Sequence, residues 1–191
     1  MDAEAIRRFT ILASAVDHSW RAMEKSLECE WVLPALTLTY CFIDNMAYLA
    51  AGETESKVGP RFERWVSDWM LSRGKLDCEA SDLYGARCAV VHNWTAESTV
   101  SKRGKAKHIL YHYGSADPTQ LHDLARRHPG QYVVVHLDTL IEETKGGAVN
   151  FIGSLDVNLE LRERVLGKVD KLYVSPATWL RSGIGTSSSA G

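Results

Sequence analysis

Residues 82–93 read DLYGARCAVVHN and have the character of a buried helix. Apolar residues recur there at i, i+3 and i+7, the stripe of an amphipathic helix: Leu83, Ala86 and Val90. The same helix carries Arg87 and His92, which lie about 140° apart around the axis at 3.6 residues per turn. In a core, a cation and a titratable side chain need polar partners. The stretch therefore predicts a buried helix that borders a polar site.

Helical periodicity extends over most of the remaining chain. The predicted helices cover residues 3–27, 33–51, 62–70, 117–127, 139–151 and 158–169, with residues 53–60 as a polar linker. Pro34 fits the first turn of the second helix. Asp117 is predicted to cap its helix, with Pro118 at the first position. The glycine pair Gly146-Gly147 is expected to break or strain the helix over residues 139–151.

Two short segments interrupt this helical pattern. Residues 108–113 and 131–136 are β-branched or aromatic and are bounded by turn residues, which favours strands. We therefore expect a mainly α fold, a helical bundle with a small antiparallel β element inserted in the second half. A single domain would span residues 1–182, with a helical core at 1–94, the β-containing region at 105–137 and C-terminal helices at 138–170. Residues 183–191, rich in serine and glycine, are expected to be a disordered tail.

Composition excludes several classes of protein. With 191 residues, 45% hydrophobic residues and a net charge of -2, the chain has a real core and is not a nucleic-acid-coating protein. The four cysteines form no C-x-x-C pair, which argues against a zinc ribbon. Cys41 and Cys88 are interpreted as small core residues. Without a signal peptide or an apolar run suited to spanning a membrane, we expect a cytoplasmic protein with reduced thiols and no membrane association.

The histidines of the second half raise the question of a metal site. They are His108, His112, His122, His128 and His136. None forms an i, i+4 pair with a local acidic partner, the arrangement that a helical metal site requires. We therefore expect no metal and no other cofactor.

Asp44 lies inside the apolar run of the second predicted helix. One interpretation is a structural carboxylate that is satisfied by a tyrosine or an arginine. The other is that Asp44 orients Arg87 or His92, as an acid commonly does for a catalytic cation. Both interpretations predict that Asp44 is buried and bonded to Arg87, His92 or Tyr84, because an isolated carboxylate there would be costly.

Basic residues follow the helix end closely. Lys102, Arg103, Lys105 and Lys107 fall within a polar segment. The plainer interpretation is a solvated loop. The alternative is a nucleic-acid-binding loop that contacts phosphates beside His92.

An arginine and a histidine at Arg-x4-His spacing, at the end of a bundle helix, resemble the HEPN superfamily, many members of which are metal-independent ribonucleases. Arg87 and His92 carry this resemblance, supported by the predicted helix over residues 33–51. It implies that Arg87 and His92 are catalytic and that a homodimer forms a composite cleft. Tyr84, one turn earlier, and Asn93, directly after the histidine, would support them. The position after the arginine is often Asn, Asp or His in the family and is Cys88 here.

Two functions follow as hypotheses. The first is a HEPN-type endoribonuclease that cleaves single-stranded RNA by attack of the 2′-hydroxyl on the adjacent phosphate. His92 would move protons and Arg87 would stabilise charge on the phosphate oxygens. The second is a non-catalytic HEPN-like module that binds a protein partner or regulates one. In that case Arg87 and Asp44 are a buried pair, and His92 faces the last carbonyls of its helix.

Overall fold

The computed structural model describes residues 2–93, 98, 100 and 104–171. These residues form a mainly α fold, as predicted, with seven α-helices and two short strands. The helices are α1 (Ala3–Glu28), α2 (Val32–Ala50), α3 (Val58–Trp65), α4 (Ala80–Asn93), α5 (Thr119–Arg127), α6 (Leu137–Ser154) and α7 (Leu159–Val169). The strands are β1 (His108–His112) and β2 (Tyr132–His136). The predicted tail at residues 183–191 lies outside the described residues.

Helix α2 is the central element of the bundle. It packs against α1, α3, α4, α6 and α7, and its fully buried residues include Tyr40, Ile43 and Leu49. By length and composition alone α2 could cross a membrane, but half of that apolar stretch is buried inside the fold. Its apolar character is therefore accounted for in part by its central place among five other helices.

The polar linker predicted over residues 53–60 is shorter than expected, because α3 already begins at Val58. Helix α3 continues into a π-helical turn, Val66–Met70, and a 3₁₀ turn, Leu71–Arg73. The π-helical turn packs against α6. There a Cβ on Gly147 would lie 2.9 Å from Met70 Cγ and 3.1 Å from the Trp69 carbonyl oxygen. The break predicted at Gly146-Gly147 is wrong: α6 is continuous, and Gly147 allows the crossing chain to approach.

The two strands are parallel, so the predicted antiparallel pairing is wrong. His108 pairs with Tyr132 and His112 pairs with His136 in one regular register. The physical reason is the connection, because parallel strands need a crossover and α5 supplies it. Helix α5 starts at Thr119, so Pro118 takes the cap position that was predicted for Asp117. Asp117 instead accepts a hydrogen bond from the Thr119 backbone N–H at 3.0 Å.

Helix α4 connects the bundle to the sheet, since it packs against α2, α3 and β1. Asp82, in its first turn, is 1% exposed and accepts a hydrogen bond from the Lys107 backbone N–H at 2.6 Å. A Cβ on Gly85 would lie 2.9 Å from the Cβ of Ala106. The chain leading into β1 therefore runs back along α4 to its amino-terminal half. The carboxyl-terminal half of α4 carries Arg87 and His92.

Candidate active site

Asp44 and Arg87 form an ion pair that joins α2 to α4. Arg87 Nε donates to Asp44 Oδ2 at 2.7 Å, and Arg87 Nη2 lies 2.5 Å from the same oxygen. The two side chains are 13% and 16% exposed, Arg87 first. The prediction that Asp44 is bonded to Arg87, His92 or Tyr84 is confirmed, but the residue is only partly buried rather than buried as predicted. Within the described part of the chain, the other oxygen, Asp44 Oδ1, is buried and has no hydrogen-bond partner.

The remaining nitrogen of the guanidinium faces the histidine. Arg87 Nη1 lies 2.7 Å from His92 Nε2. Because a guanidinium can only donate, His92 Nε2 must be the acceptor, and the proton of the neutral ring is then on Nδ1. The long arginine side chain spans the 140° between the two positions on α4. Asp44, Arg87 and His92 thus form one continuous array, which ends at the exposed His92.

The charge of Arg87 is secure in this arrangement. Burial alone would lower the pKa of Arg87, but the hydrogen bond and the negative charge of Asp44 more than offset it. The net pKa is raised above its ordinary value. Arg87 is therefore permanently charged, with the carboxylate of Asp44 on one side of its guanidinium and the ring of His92 on the other.

Two thiols border the array. Cys88 lies beside both Arg87 and Tyr84, and Cys41 lies close enough to Asp44 and Arg87 to sense both charges. Burial first, and then the carboxylate of Asp44, raise the pKa of Cys41. The interpretation of Cys41 and Cys88 as core residues is wrong, because both are only partly buried. Cys88 was noted in the sequence as the residue after Arg87, whereas Cys41, one helical turn from Asp44, was missed as a neighbour of the site.

Tyr84 lies one turn before Cys88 and packs between helices. Its ring is 5.6 Å from the ring of Phe62, and a Cβ on Gly59 would be 3.2 Å from the Tyr84 hydroxyl. Burial and the neighbouring Cys88 raise the pKa of Tyr84, and the positive charge of Arg87 only partly opposes this. The hydroxyl therefore stays protonated at neutral pH and is available as a hydrogen-bond donor.

The predicted nucleic-acid-binding residues are only partly described. Lys102 and Arg103 lie outside the described residues, and for Asn93 only the backbone, which ends α4, is described. Lys105 is exposed. Lys107 Nζ lies 3.6 Å from Glu79 Oε1 and 3.8 Å from Asp82 Oδ2.

Lys107 is therefore held at the amino-terminal end of α4. At a rise of 1.5 Å per residue, Asp82 and His92 are about 15 Å apart along the helix. The structure brings together Asp44, Arg87, His92 and, within one turn, Tyr84. It does not bring Lys107 to them.

The array combines three chemical capacities. Arg87 can hold an anion through a planar, charged fork of donors. His92 carries an imidazole, the side chain that proteins use most often to transfer protons near neutral pH. Asp44 maintains the orientation of Arg87. These are capacities for binding an anionic group and moving a proton beside it.

Comparison of the chain with protein-family models, with curated proteins and with solved structures finds no match.

Proposed function

We propose that the protein is a metal-independent endoribonuclease of HEPN type that cleaves single-stranded RNA. The single observation that carries this proposal is the Asp44–Arg87–His92 array, with its hydrogen bonds of 2.7 Å on either side of the guanidinium. The Arg-x4-His resemblance supplies the reaction class, and the array supplies groups that suit it.

In the proposed reaction the RNA is its own nucleophile. The 2′-hydroxyl loses its proton to His92 as its oxygen bonds to the adjacent phosphorus, and the bond from phosphorus to the 5′-oxygen breaks. The leaving 5′-oxygen takes up a proton. The products are a 2′,3′-cyclic phosphate and a 5′-hydroxyl, so atoms and charge balance without a further reactant.

Arg87 has two roles in this reaction. Its guanidinium stabilises the negative charge that grows on the non-bridging phosphate oxygens. The lone pair of His92 Nε2 accepts the hydrogen bond from Arg87 Nη1. Arg87 must therefore redirect this N–H group to the phosphate before Nε2 can accept a proton. Substrate binding therefore frees the base, and Asp44 keeps the cation in place during the exchange.

A second copy of the chain would complete the chemistry. One proton leaves the 2′-oxygen and another must reach the 5′-oxygen, and a homodimer offers a second His92 for the second task. Exposed apolar side chains in and beside the first turns of α2 support such an association. They are Trp31 at 60% exposure and Leu33 and Leu38 at 37% each.

The RNA contacts would be local, since the net charge is -2. Lys102, Arg103 and Lys105 remain the proposed phosphate contacts, with cytoplasmic RNA as the substrate. Lys107 contributes less to this role, because Glu79 and Asp82 already oppose its charge.

The second candidate is a non-catalytic module of the same fold that binds or regulates a protein partner. The hydrogen bond between Arg87 and His92 favours it, because each group already satisfies the other inside one chain. Cys88, in place of the polar residue that often follows the arginine, favours it as well.

An assay of RNA cleavage separates the two candidates. Purified protein is incubated with single-stranded RNA in excess chelator, and the product ends are identified. We expect 2′,3′-cyclic phosphate and 5′-hydroxyl ends from the unmodified protein. His92→Ala should lose cleavage, whereas His18→Ala, at an exposed position on α1, should retain it. Absence of cleavage across varied RNAs, or equal cleavage by His92→Ala, would favour the non-catalytic module.

A further inference from the structure

A cavity of about 500 Å³ lies at the carboxyl-terminal end of α2. It is enclosed by the segment that follows α2, by α3 and by α7, and the ring of Tyr48 forms part of its wall. Its volume is within the range of small-molecule sites in proteins. Tyr48 follows Asp44 by one helical turn, but the cavity includes neither Arg87 nor His92.

The lining of this cavity contains four cationic side chains beside three glutamates. It contains Arg61 from α3, Arg164 and Lys168 from α7, and Lys171 just beyond α7. Arg164, Lys168 and Lys171 recur at i, i+4 and i+7, the spacing of residues on one side of a helix. Arg61 and Lys168 both lie against Tyr48, at 5.6 Å and 4.8 Å from its ring centroid.

The acids around the cavity offset these cations only in part. Glu55 is paired with Arg64, which is not one of the four, and Glu160 is paired with Arg164. Glu53 and Glu163 also border the cavity, but both are exposed. Among the described residues, no ion pair joins either of them to Arg61, Lys168 or Lys171. Within the described part of the chain, Arg61, Lys168 and Lys171 thus form no ion pair, although the negative charge of Glu55 acts on Lys168.

Hydrogen bonds to the last carbonyl groups of α2 account for only part of the positive charge around the cavity. Lys168 Nζ donates to the carbonyl oxygens of Tyr48 at 2.7 Å and Ala51 at 2.6 Å, and Arg164 Nη1 donates to that of Ala50 at 3.3 Å. A helix carboxyl terminus carries about half a negative charge, which one cation already offsets. Burial, and then the neighbouring Arg164, Arg61 and Lys171, lower the pKa of Lys168. Moreover, Arg61 Nε is buried without a hydrogen-bond partner in the described part of the chain.

We propose that this cavity is an anion site that binds the phosphate group of a small phosphorylated molecule. A phosphate offers several acceptor oxygens to the forked guanidinium of Arg61 and to the ammonium groups of Lys168 and Lys171. It would supply the partner that Arg61 Nε lacks and offset the surplus positive charge. The site is separate from Arg87 and His92 and does not depend on the proposed ribonuclease reaction.

Calorimetric titration with pyrophosphate at low ionic strength tests the site. The unmodified protein should bind one equivalent, and Arg61→Gln should weaken binding about tenfold, the loss expected for one charge-assisted hydrogen bond. Lys171→Gln, at an exposed position where folding is not at stake, should weaken it severalfold. The control is Arg21→Gln, which removes a 76% exposed arginine of α1 and should leave the affinity unchanged.

Titrations with inorganic phosphate and with uridine monophosphate distinguish the source of the group. Equal affinity assigns the site to the free anion, and tighter binding of the nucleotide assigns it to a phosphate ester. The proposal is overturned if no phosphate compound binds, or if Lys171→Gln and a folded Arg61→Gln both bind pyrophosphate as tightly as Arg21→Gln does.

Discussion

The pair formed by Asp44 and Arg87 and the pair formed by Glu143 and Arg73 both join two parts of the helical bundle, but only the first includes a histidine. Glu143 is fully buried in α6 and accepts a hydrogen bond from Arg73 Nε at 3.0 Å, with Lys75 Nζ at 3.5 Å. The guanidinium of Arg73 lies against Gly146, where a Cβ would overlap it. Arg73 is itself 32% exposed, but the described contacts of this pair include no histidine, and we call it the closed pair.

The Asp44–Arg87 pair differs in the third group that its guanidinium contacts. Its guanidinium keeps one nitrogen turned towards an exposed, titratable ring rather than towards a second fixed group. Two pairs of the same chemical type can therefore serve different purposes, and the third partner decides which. An arginine that pairs with a carboxylate inside the bundle is by itself weak support for function, because Arg73 forms such a pair without a histidine.

The largest effect on stability is expected at the closed pair. Glu143→Ala removes the fully buried carboxylate that holds Arg73 and Lys75 and leaves a cavity in its place, and should lower the free energy of unfolding by about 2–5 kcal/mol. Asp44→Ala leaves Arg87, whose side chain is 13% exposed, without its carboxylate and should cost about 2–3 kcal/mol. Urea unfolding measures both, with Glu142→Ala and Asn45→Ala as exposed controls on the same helices. An unchanged unfolding midpoint in Asp44→Ala would show that the Asp44–Arg87 ion pair does not stabilise the fold.

A smaller loss is expected where the chain crosses α6 beside the closed pair. The methyl group of Gly147→Ala would press on the Trp69 backbone, which cannot move independently, and should cost about 1–3 kcal/mol. Gly153→Ala on the same helix meets nothing within 4 Å and should stabilise the protein by about 0.5–1 kcal/mol. Thermal unfolding of the two variants should therefore shift in opposite directions. A Gly147→Ala variant as stable as the unmodified protein would mean that the crossing is looser than described.

The smallest effect concerns His112, a histidine at the end of strand β1. His112 contacts the His136 ring at 4.4 Å across the two strands. Burial, followed by His136 and His122, lowers the pKa of His112 below its ordinary value. The folded state then binds fewer protons at His112 than the unfolded state does. The contribution of neutral His112 to the free energy of unfolding is therefore complete above a pH of about 6.5 and is lost as the pH falls.

Melting temperatures between pH 7.5 and pH 5 test this effect. His112→Asn should flatten the acid side of the profile, whereas His18→Asn on α1 should not. Identical profiles for the unmodified protein and His112→Asn would show that the histidine pair does not couple to folding.

Sequence reasoning predicted most helices because apolar periodicity is a local property. It also predicted a polar partner for Asp44, with Arg87 as one of three candidates, since the cost of an isolated carboxylate among Tyr40, Ile43 and Ala47 requires a partner. It failed where the outcome depends on the path of the chain. The strand direction was wrong although the intervening helix had been identified, and that helix is the crossover that makes parallel pairing possible.

The remaining errors also come from tertiary contacts. Lys107 follows the helix end in sequence, but the chain returns along α4 and places it beside Asp82. The glycine pair of α6 suggested a break because its packing partners, Arg73 and Met70, are distant in sequence. Arg61 and Lys168 were not singled out, since they meet only around Tyr48. The spacing of Arg164, Lys168 and Lys171 was the one local signal of that cavity.

The most direct test of the central claim is the initial rate of RNA cleavage in three variants compared with the unmodified protein, corrected for the folded fraction. His92→Ala should lose about 100-fold or more, the usual contribution of a general acid or base. Asp44→Asn, which weakens the hold on Arg87, should lose about tenfold. Glu143→Gln, at the closed pair, should retain the unmodified rate per folded molecule. Equal rates in His92→Ala and Glu143→Gln would contradict the account, because the array would then be as purely structural as the pair to which it is compared.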